Sequence, residues 1–176
     1  MGTYLITGGC GFIGSQLSHQ LIHQGHKIKI IDNLSSGSTT QIPGECDFFH
    51  GDINDSEYLE QLMKDIDGCY HLAANLPSEQ NDERLINTDL QGSINVFNLA
   101  RKNKDREAIP VVYASSAAVY GDNAKVSLKE NDIVRPISKY SADKVCCELH
   151  ARVAGIKHEV NTIGLRFFKY MKSADS

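Results

Sequence analysis

Short apolar runs alternate along the chain with longer stretches whose apolar positions recur at helical spacing. The runs Thr3–Thr7 (TYLIT), Lys27–Asp32 (KIKIID), Cys46–His50, Cys69–Ala73, Ile109–Ala114 (IPVVYA) and Glu159–Arg166 predict six strands. Between them, Phe12, Ile13, Leu17 and Leu21 predict a helix over Phe12–Gln24, stopped by Gly25. Asp55 is placed to cap a second helix that runs through Lys64, with Tyr58, Leu59, Leu62 and Met63 on its apolar side. Leu85, Leu90, Ile94, Val96, Phe97 and Leu99 give Asp82–Asn103 a broad apolar face, and Ser138–Ala154 reads as a further helix. The strands are apolar without alternation, as strands buried on both faces are.

This pattern predicts an α/β fold: a doubly wound parallel sheet of the Rossmann kind, in three α/β/α layers. Residues 1–168 form the expected dinucleotide-binding domain and residues 169–176 a short divergent tail. Ser35–Thr40 (SSGSTT) reads as a polar loop rather than a linker.

The turn after the first strand reads Gly8-Gly9-Cys10-Gly11-Phe12-Ile13-Gly14. Gly8 permits a tight turn, Gly11 lets a pyrophosphate approach the backbone, and Gly14 lets helix and strand pack closely. The helix N-terminus then favours the phosphate charge. The second strand ends at Asp32, whose carboxylate accepts from ribose hydroxyls and repels a 2′-phosphate, which favours NAD over NADP. Asp52, in Gly51-Asp52-Ile53, is placed to reach the adenine amino group.

A second group of residues carries chemistry. Tyr140-Ser141-Ala142-Asp143-Lys144 puts a phenol and an ammonium on one helical face, where the cation favours the phenolate. Ser115 and Ser116 follow the fifth strand, at the strand end where ligands sit in such sheets.

The stretches TGGCGFIGS, IIDNLSSGS, GDI, HLAA, YASSAAVYG and RPISKYSADK resemble the extended short-chain dehydrogenase/reductase family, and within it the NAD-dependent sugar-nucleotide epimerases of the UDP-glucose/UDP-galactose 4-epimerase type. The resemblance implies Ser116, Tyr140 and Lys144 as catalytic residues. It implies NAD contacts at Gly8, Gly11, Phe12, Ile13, Gly14, Asp32, Asn33, Ser36, Gly37, Asp52, Ile53, Leu72, Ala73, Ala74, Asp89, Ala114, Tyr140, Lys144 and Phe168. It also implies epimerisation of a nucleotide-sugar, most simply a UDP-sugar, by transient oxidation and re-reduction. Ala117-Ala118 stand where the related dehydratases carry Asp-Glu, so dehydration is disfavoured.

The chain departs from that family in length, since members exceed 300 residues and carry a C-terminal substrate domain. Lys169 replaces an Asn that contacts the nucleotide-sugar, and Asp89 replaces a cofactor-site Asn. The loop from Asn75 to Arg84 is shortened. Two further readings follow: a non-catalytic NAD-binding module, and a small-carbonyl NAD oxidoreductase built on Tyr140 and Lys144.

Composition narrows the classes. With 18 Lys+Arg against 22 Asp+Glu the net charge is −4, which suits no nucleic-acid backbone. No apolar run is long enough for a membrane span, and MGTYLITGGC carries neither a basic leader nor a myristoylation signal. Five scattered cysteines without C-x-x-C suggest reduced thiols and a cytoplasmic setting. The seven histidines lack ligand spacing, so no metal is expected, and His71 reads as a core residue. Family members dimerise through two long helices, here 82–103 and 138–154, which implies a homodimer.

Overall fold

The computed structural model describes residues 1–74, 86–102, 106–124 and 127–168. Six strands, β1 (Thr3–Thr7), β2 (Lys27–Asp32), β3 (Asp47–His50), β4 (Gly68–His71), β5 (Val111–Ser116) and β6 (Thr162–Phe167), form one sheet. Their order is β3-β2-β1-β4-β5-β6 and every pair is parallel. Among the described residues four α-helices connect them: α1 (Phe12–His23), α2 (Ser56–Leu62), α3 (Ile86–Leu99) and α4 (Lys139–His158). The chain leaves β1 toward β2 on one side and, after β3, crosses to β4 on the other. The strand order therefore reverses between β1 and β4, and a crevice opens there at the carboxyl ends of the strands.

Alternation along the strands divides the core in two. Leu5, Ile31, Cys69, Val111 and Tyr113 point to the face packed by α2, α3 and α4, with Leu59, Val96, Phe97 and Ala151. Ile6, Ile28 and Ile30 point to the opposite face, with Leu17 and Leu21 of α1. The three expected layers are present. On the α1 side the cover stops short of β6, where Ile163 is 60% and Leu165 40% exposed.

Several boundaries shift, each for a local reason. β5 starts at Val111 rather than Ile109, because Pro110 has no N–H and the Ile109 amide donates to the Ala100 carbonyl (2.8 Å). β4 ends at His71 rather than Ala73, whose amide turns to the Thr7 hydroxyl (3.2 Å). α4 runs on to His158 and closes at Glu159 in a left-handed conformation, so Glu159 belongs to the helix cap and not to β6. α3 ends at Leu99, where Arg101 Nε donates to the Asn98 carbonyl (2.7 Å), so the apolar face does not carry the helix to Asn103. Asn103 itself and the expected start at Asp82 lie outside the described residues. Asp55 caps α2 as its position suggests, accepting from the Tyr58 amide (3.0 Å).

Candidate functional site

A cleft of about 1000 Å³ lies over the β1/β4 reversal. That is the upper end of the roughly 300–1,000 Å³ range of ligand sites. Its first half is the β1–α1 turn. Gly8 has φ +67°, and a Cβ there would come within 2.6 Å of the Ala73 backbone. A Cβ on Gly14 would come within 2.6 Å of the Gly8 carbonyl oxygen, so α1 presses directly on the turn. Gly11 differs. Its nearest protein atom would be 3.3 Å away, yet it fronts the cleft, so the space beside it is left for something other than the protein. No side chain caps the start of α1, and its first turn carries no acidic residue. Backbone amides and the helix dipole therefore present a positive end to the cleft without any basic side chain. An anionic diphosphate fits that donor set.

The end of β2 closes this half. Asp32 accepts from the amides of Cys10 (2.9 Å) and Leu34 (2.8 Å), tying the strand end to the glycine turn. Each carboxylate oxygen retains a second acceptor site for a ligand hydroxyl. Asn33 Nδ2 donates to Asp52 Oδ2 (3.1 Å), and Asn54 donates twice to Asp52 Oδ1 (2.8 and 2.9 Å). Partial burial works against the Asp52 anion, but these bonds outweigh it and hold its carboxyl below the usual range. Ser36 and Gly37 fold over the turn, and the Ser38 amide donates to the Cys10 carbonyl (3.1 Å). Phe12, Ile13 and Ile53 complete the lining.

The second half comes from β4, β5, α3 and α4. Leu72, Ala73, Ala74, Ala114 and Phe168 line it. Of the two serines, Ser115 turns inward and donates to Glu148 Oε1 (2.6 Å). Ser116 caps the short 3₁₀ turn Ala117–Tyr120 by accepting from the Ala118 amide (3.1 Å), which leaves its own proton to donate toward the cleft. Tyr140 and Lys144 stand one turn apart on α4, with Lys144 Nζ 5.6 Å from the Tyr140 ring centre. Lys144 is buried and lines the cleft. The start of α4 is held by a reciprocal pair: Ser138 Oγ accepts from the Ser141 amide (3.2 Å), and Ser141 Oγ from the Ser138 amide (3.0 Å).

Two polar networks brace this half. In the first, the Ala73 amide donates to Thr7 Oγ1, and Thr7 Oγ1 lies 2.8 Å from His71 Nδ1. His71 Nε2 lies 2.8 Å from Ser93 Oγ, which donates to the Asp89 carbonyl (2.7 Å). Ser93 spends its only proton on Asp89, so His71 must donate through Nε2 and accept at Nδ1. Burial, reinforced by the Lys144 charge, pushes the His71 pKa down to about 3. The second network is a two-pronged pair of Arg166 and Glu148 (2.7 and 2.8 Å), with Arg166 also donating to the Tyr120 hydroxyl (2.8 Å). Burial alone would raise Glu148, but Arg166 and Ser115 hold it below its usual range.

All the anticipated site residues therefore line one cleft, Asp89 included. Lys169 lies outside the described residues, as does the Asn75–Arg84 loop. The Thr7–His71–Ser93 chain and the Glu148–Arg166 pair are new, since each joins elements far apart in sequence. Cys10, Ser38 and Gln41 also front the cleft. Ser38 and Gln41 belong to a polar turn that offered no periodic signal. Among the described residues no cluster of His, Cys, Asp or Glu could hold a metal ion, and no helix is long and apolar enough to cross a membrane.

Residues 4–171 match the family model described as the NAD dependent epimerase/dehydratase family. Among curated relatives, the UDP-glucose 4-epimerase of Azospirillum brasilense is 32% identical over 166 residues, covering 93% of this chain and 48% of that protein. The putative UDP-glucose 4-epimerase of Methanocaldococcus jannaschii is 32% identical over 89% of this chain and 53% of its own length. Among solved structures, the UDP-N-acetylglucosamine 4-epimerase of Methanobrevibacter ruminantium, in complex with UDP-N-acetylmuramic acid, superposes with a TM-score of 0.85 at 32% identity, covering 94% of this chain and 54% of that one. The Thermus thermophilus UDP-glucose 4-epimerase in complex with NAD gives a TM-score of 0.85 at 28% identity, covering 93% and 54%. The chain spans about half the length of the relatives it matches.

Proposed function

Because the chain belongs to the NAD-dependent epimerase/dehydratase family, we propose that it binds NAD in the cleft and acts as an epimerase on a nucleotide-sugar, a UDP-sugar first among them. One observation carries the reading. A side-chain-free anion cradle at Gly11 and a Ser116/Tyr140/Lys144 group open into the same cleft, on opposite sides of the strand-order reversal. An extended dinucleotide spans those two ends. Relatives with these chemistries, crystallised with NAD or with a UDP-sugar, support the assignment.

In this reading Gly11 and the start of α1 take the diphosphate, and Asp32 takes the adenosine ribose. Asn33 and Asp52 flank the adenine. When bound, the nicotinamide supplies a hydride acceptor that later serves as donor. The protein's own part is proton transfer and orientation. The Tyr140 oxygen takes the proton of the sugar hydroxyl as it is oxidised, and returns it when the carbonyl is reduced on its other face. Lys144 stabilises the phenolate and holds the nicotinamide ribose. Ser116 donates to the reacting sugar oxygen and fixes its distance from Tyr140.

The proposal includes residues 1–168 as the dinucleotide-binding domain, and a reducing, cytoplasmic setting in keeping with five free cysteines. It also includes a homodimer through α3 and α4. Leu149, Val153 and Ile156 stand exposed at i, i+4 and i+7 on α4. A second reading is an NAD-binding module without turnover, which draws on the same glycine turn and Asp32.

Calorimetric titration of the full chain with NAD and with UDP-glucose separates the two. NAD should bind, and Asp32→Ala should weaken it about tenfold. Interconversion of UDP-glucose and UDP-galactose, reduced about 10²–10⁴-fold by Tyr140→Phe with NAD affinity retained, establishes the epimerase. NAD binding without UDP-glucose binding establishes the module. A folded chain that binds no NAD overturns both.

A further inference from the structure

Neither Arg166 nor Glu148 lines the cleft, yet the pair reaches both ends of the turn that carries Ser116. Before Ser116, the Ser115 hydroxyl donates to Glu148 Oε1 (2.6 Å). Beyond it, at the far end of the 3₁₀ turn, the Tyr120 hydroxyl accepts from Arg166 Nη1 (2.8 Å) and donates to the Lys129 carbonyl (3.1 Å). The guanidinium also lies over the Tyr120 ring, 4.9 Å from its centre. Arg166 Nη1 donates again to the Glu130 carbonyl (2.9 Å), which fastens the segment leading from this turn into α4. On that segment the Arg135 amide donates to the Val119 carbonyl (2.9 Å). Gly121 has φ +58°, and a Cβ there would collide with the Arg135 carbonyl oxygen, so the segment lies directly against the turn. Glu148 in turn shares a helix face with the proposed acid–base group. Tyr140, Lys144 and Glu148 follow one another at four-residue spacing along one side of α4.

We propose that Arg166 and Glu148 are positioning residues for the epimerisation: they hold the Ser116 hydroxyl at a fixed place against the face of α4 that carries Tyr140 and Lys144. The inference rests on the epimerase reading. Ser116 and Tyr140 must meet the same sugar oxygen, and a misplacement of about 1 Å in such a group costs on the order of 10²-fold in rate. The chain between Gly121 and Ser138 forms no strand or helix among its described residues, so the covalent connection does not fix their separation. The ion pair does, by joining β6, the end of β5, the 3₁₀ turn and α4. Its side chains are 21% and 19% exposed. For a pair so shielded, desolvation offsets much of the attraction, and an apolar filling would serve stability as well. What the pair supplies is direction. The guanidinium reaches Glu148, Tyr120 and Glu130 through donors fixed in one plane, which a lysine ammonium cannot do.

The test combines amide exchange, resolved by NMR, with steady-state interconversion of UDP-glucose and UDP-galactose by the full chain. Arg166→Lys keeps the charge and removes the fork. Exchange at the Ala118, Gly121 and Arg135 amides, whose bonds close the turn, should quicken about tenfold while β1 and α1 amides stay unchanged. kcat should fall about tenfold, with KM and NAD affinity within about twofold of the unaltered protein. Tyr120→Phe removes a single anchor, so it should give the same pattern at about threefold, and it serves as the test should Arg166→Lys fail to fold. Unchanged exchange at the turn in a folded variant overturns the inference. A rise spread evenly over β1 and α1 also overturns it, since that is what a merely structural pair would give. So does a local rise with kcat unchanged. Each of these leaves the epimerase reading standing. If the unaltered chain does not interconvert the sugars, that reading fails and this inference falls with it.

Discussion

Where the glycine turn meets the cleft the ligand-facing surface is mostly backbone: the turn itself, the uncapped start of α1, and Gly37 folded over Cys10. At the β5–α4 end it is side chains, namely Ser116, Tyr140, Lys144 and Asp89, with Ser116 capping a 3₁₀ turn and Tyr140 inside the capped first turn of α4. The two ends solve different problems. A diphosphate needs only amide dipoles and open space, which a turn supplies by omitting side chains. Proton transfer needs groups held to within a fraction of an ångström, so that end requires bracing from three or four elements.

The sharpest break in this comparison lies within the glycine turn. Gly11→Val fills ligand space while its Cβ meets the protein only at the Gly8 carbonyl oxygen, 3.3 Å away, so NAD affinity should fall at least about 100-fold with a smaller loss of melting temperature than Gly14→Val. Gly14→Val drives a branched side chain against the Gly8 carbonyl, so it should lower stability along with affinity. Calorimetry paired with thermal melts distinguishes the two outcomes. Equal melting temperatures for the two variants would contradict the assignment.

The braced end should respond differently. Glu148→Gln strips the partner from Arg166 and weakens the bond from Ser115, both partly shielded from solvent. A loss of about 2 kcal/mol in urea unfolding is expected, below the 3–5 typical of a fully buried pair. NAD affinity should change less than about threefold, because neither Glu148 nor Arg166 lines the cleft.

The smallest effect is a pH slope. The folded protein keeps His71 neutral down to about pH 3, whereas the unfolded chain takes up that proton near pH 6.5. Between these values the unfolded state binds more protons, so stability falls as the pH drops below about 6.5, by up to about 1.4 kcal/mol per unit. His71→Gln should flatten this slope between pH 6.5 and 5, above the range in which Glu148 titrates. Denaturant midpoints at several pH values report it, and identical slopes would place the acid sensitivity elsewhere.

What could be read in advance follows the same division. The glycine turn and Asp32 are local: a strand, a tight turn and a helix in one continuous stretch, so spacing alone reveals them. Tyr140 and Lys144 are local as well, one helical turn apart. Ser115 and Ser116 are adjacent and chemically identical. The family resemblance singles out Ser116, and the sheet's alternation, which turns Ser115 toward Glu148, supplies the physical difference. His71 reads as a core residue, and its burial agrees, but its bonds to Thr7 and Ser93 join residues 64 and 22 positions away. No periodicity carries such a contact. The shifted edges of β5 and α4 arise from Pro110 lacking an amide proton and from Glu159 tolerating a left-handed backbone.

The reciprocal serines that start α4 have a consequence in time as well as in space. Tyr140 is the second residue of that helix, inside the turn that Ser138 and Ser141 hold shut. Helix ends fray on their own, far faster than most enzymes turn over. A cap worth about 1 kcal/mol makes the open turn roughly fivefold rarer. The fraction of molecules with the phenol in place is thus a local equilibrium governed by two hydroxyl groups, and amide exchange at Ser141 reads it out directly.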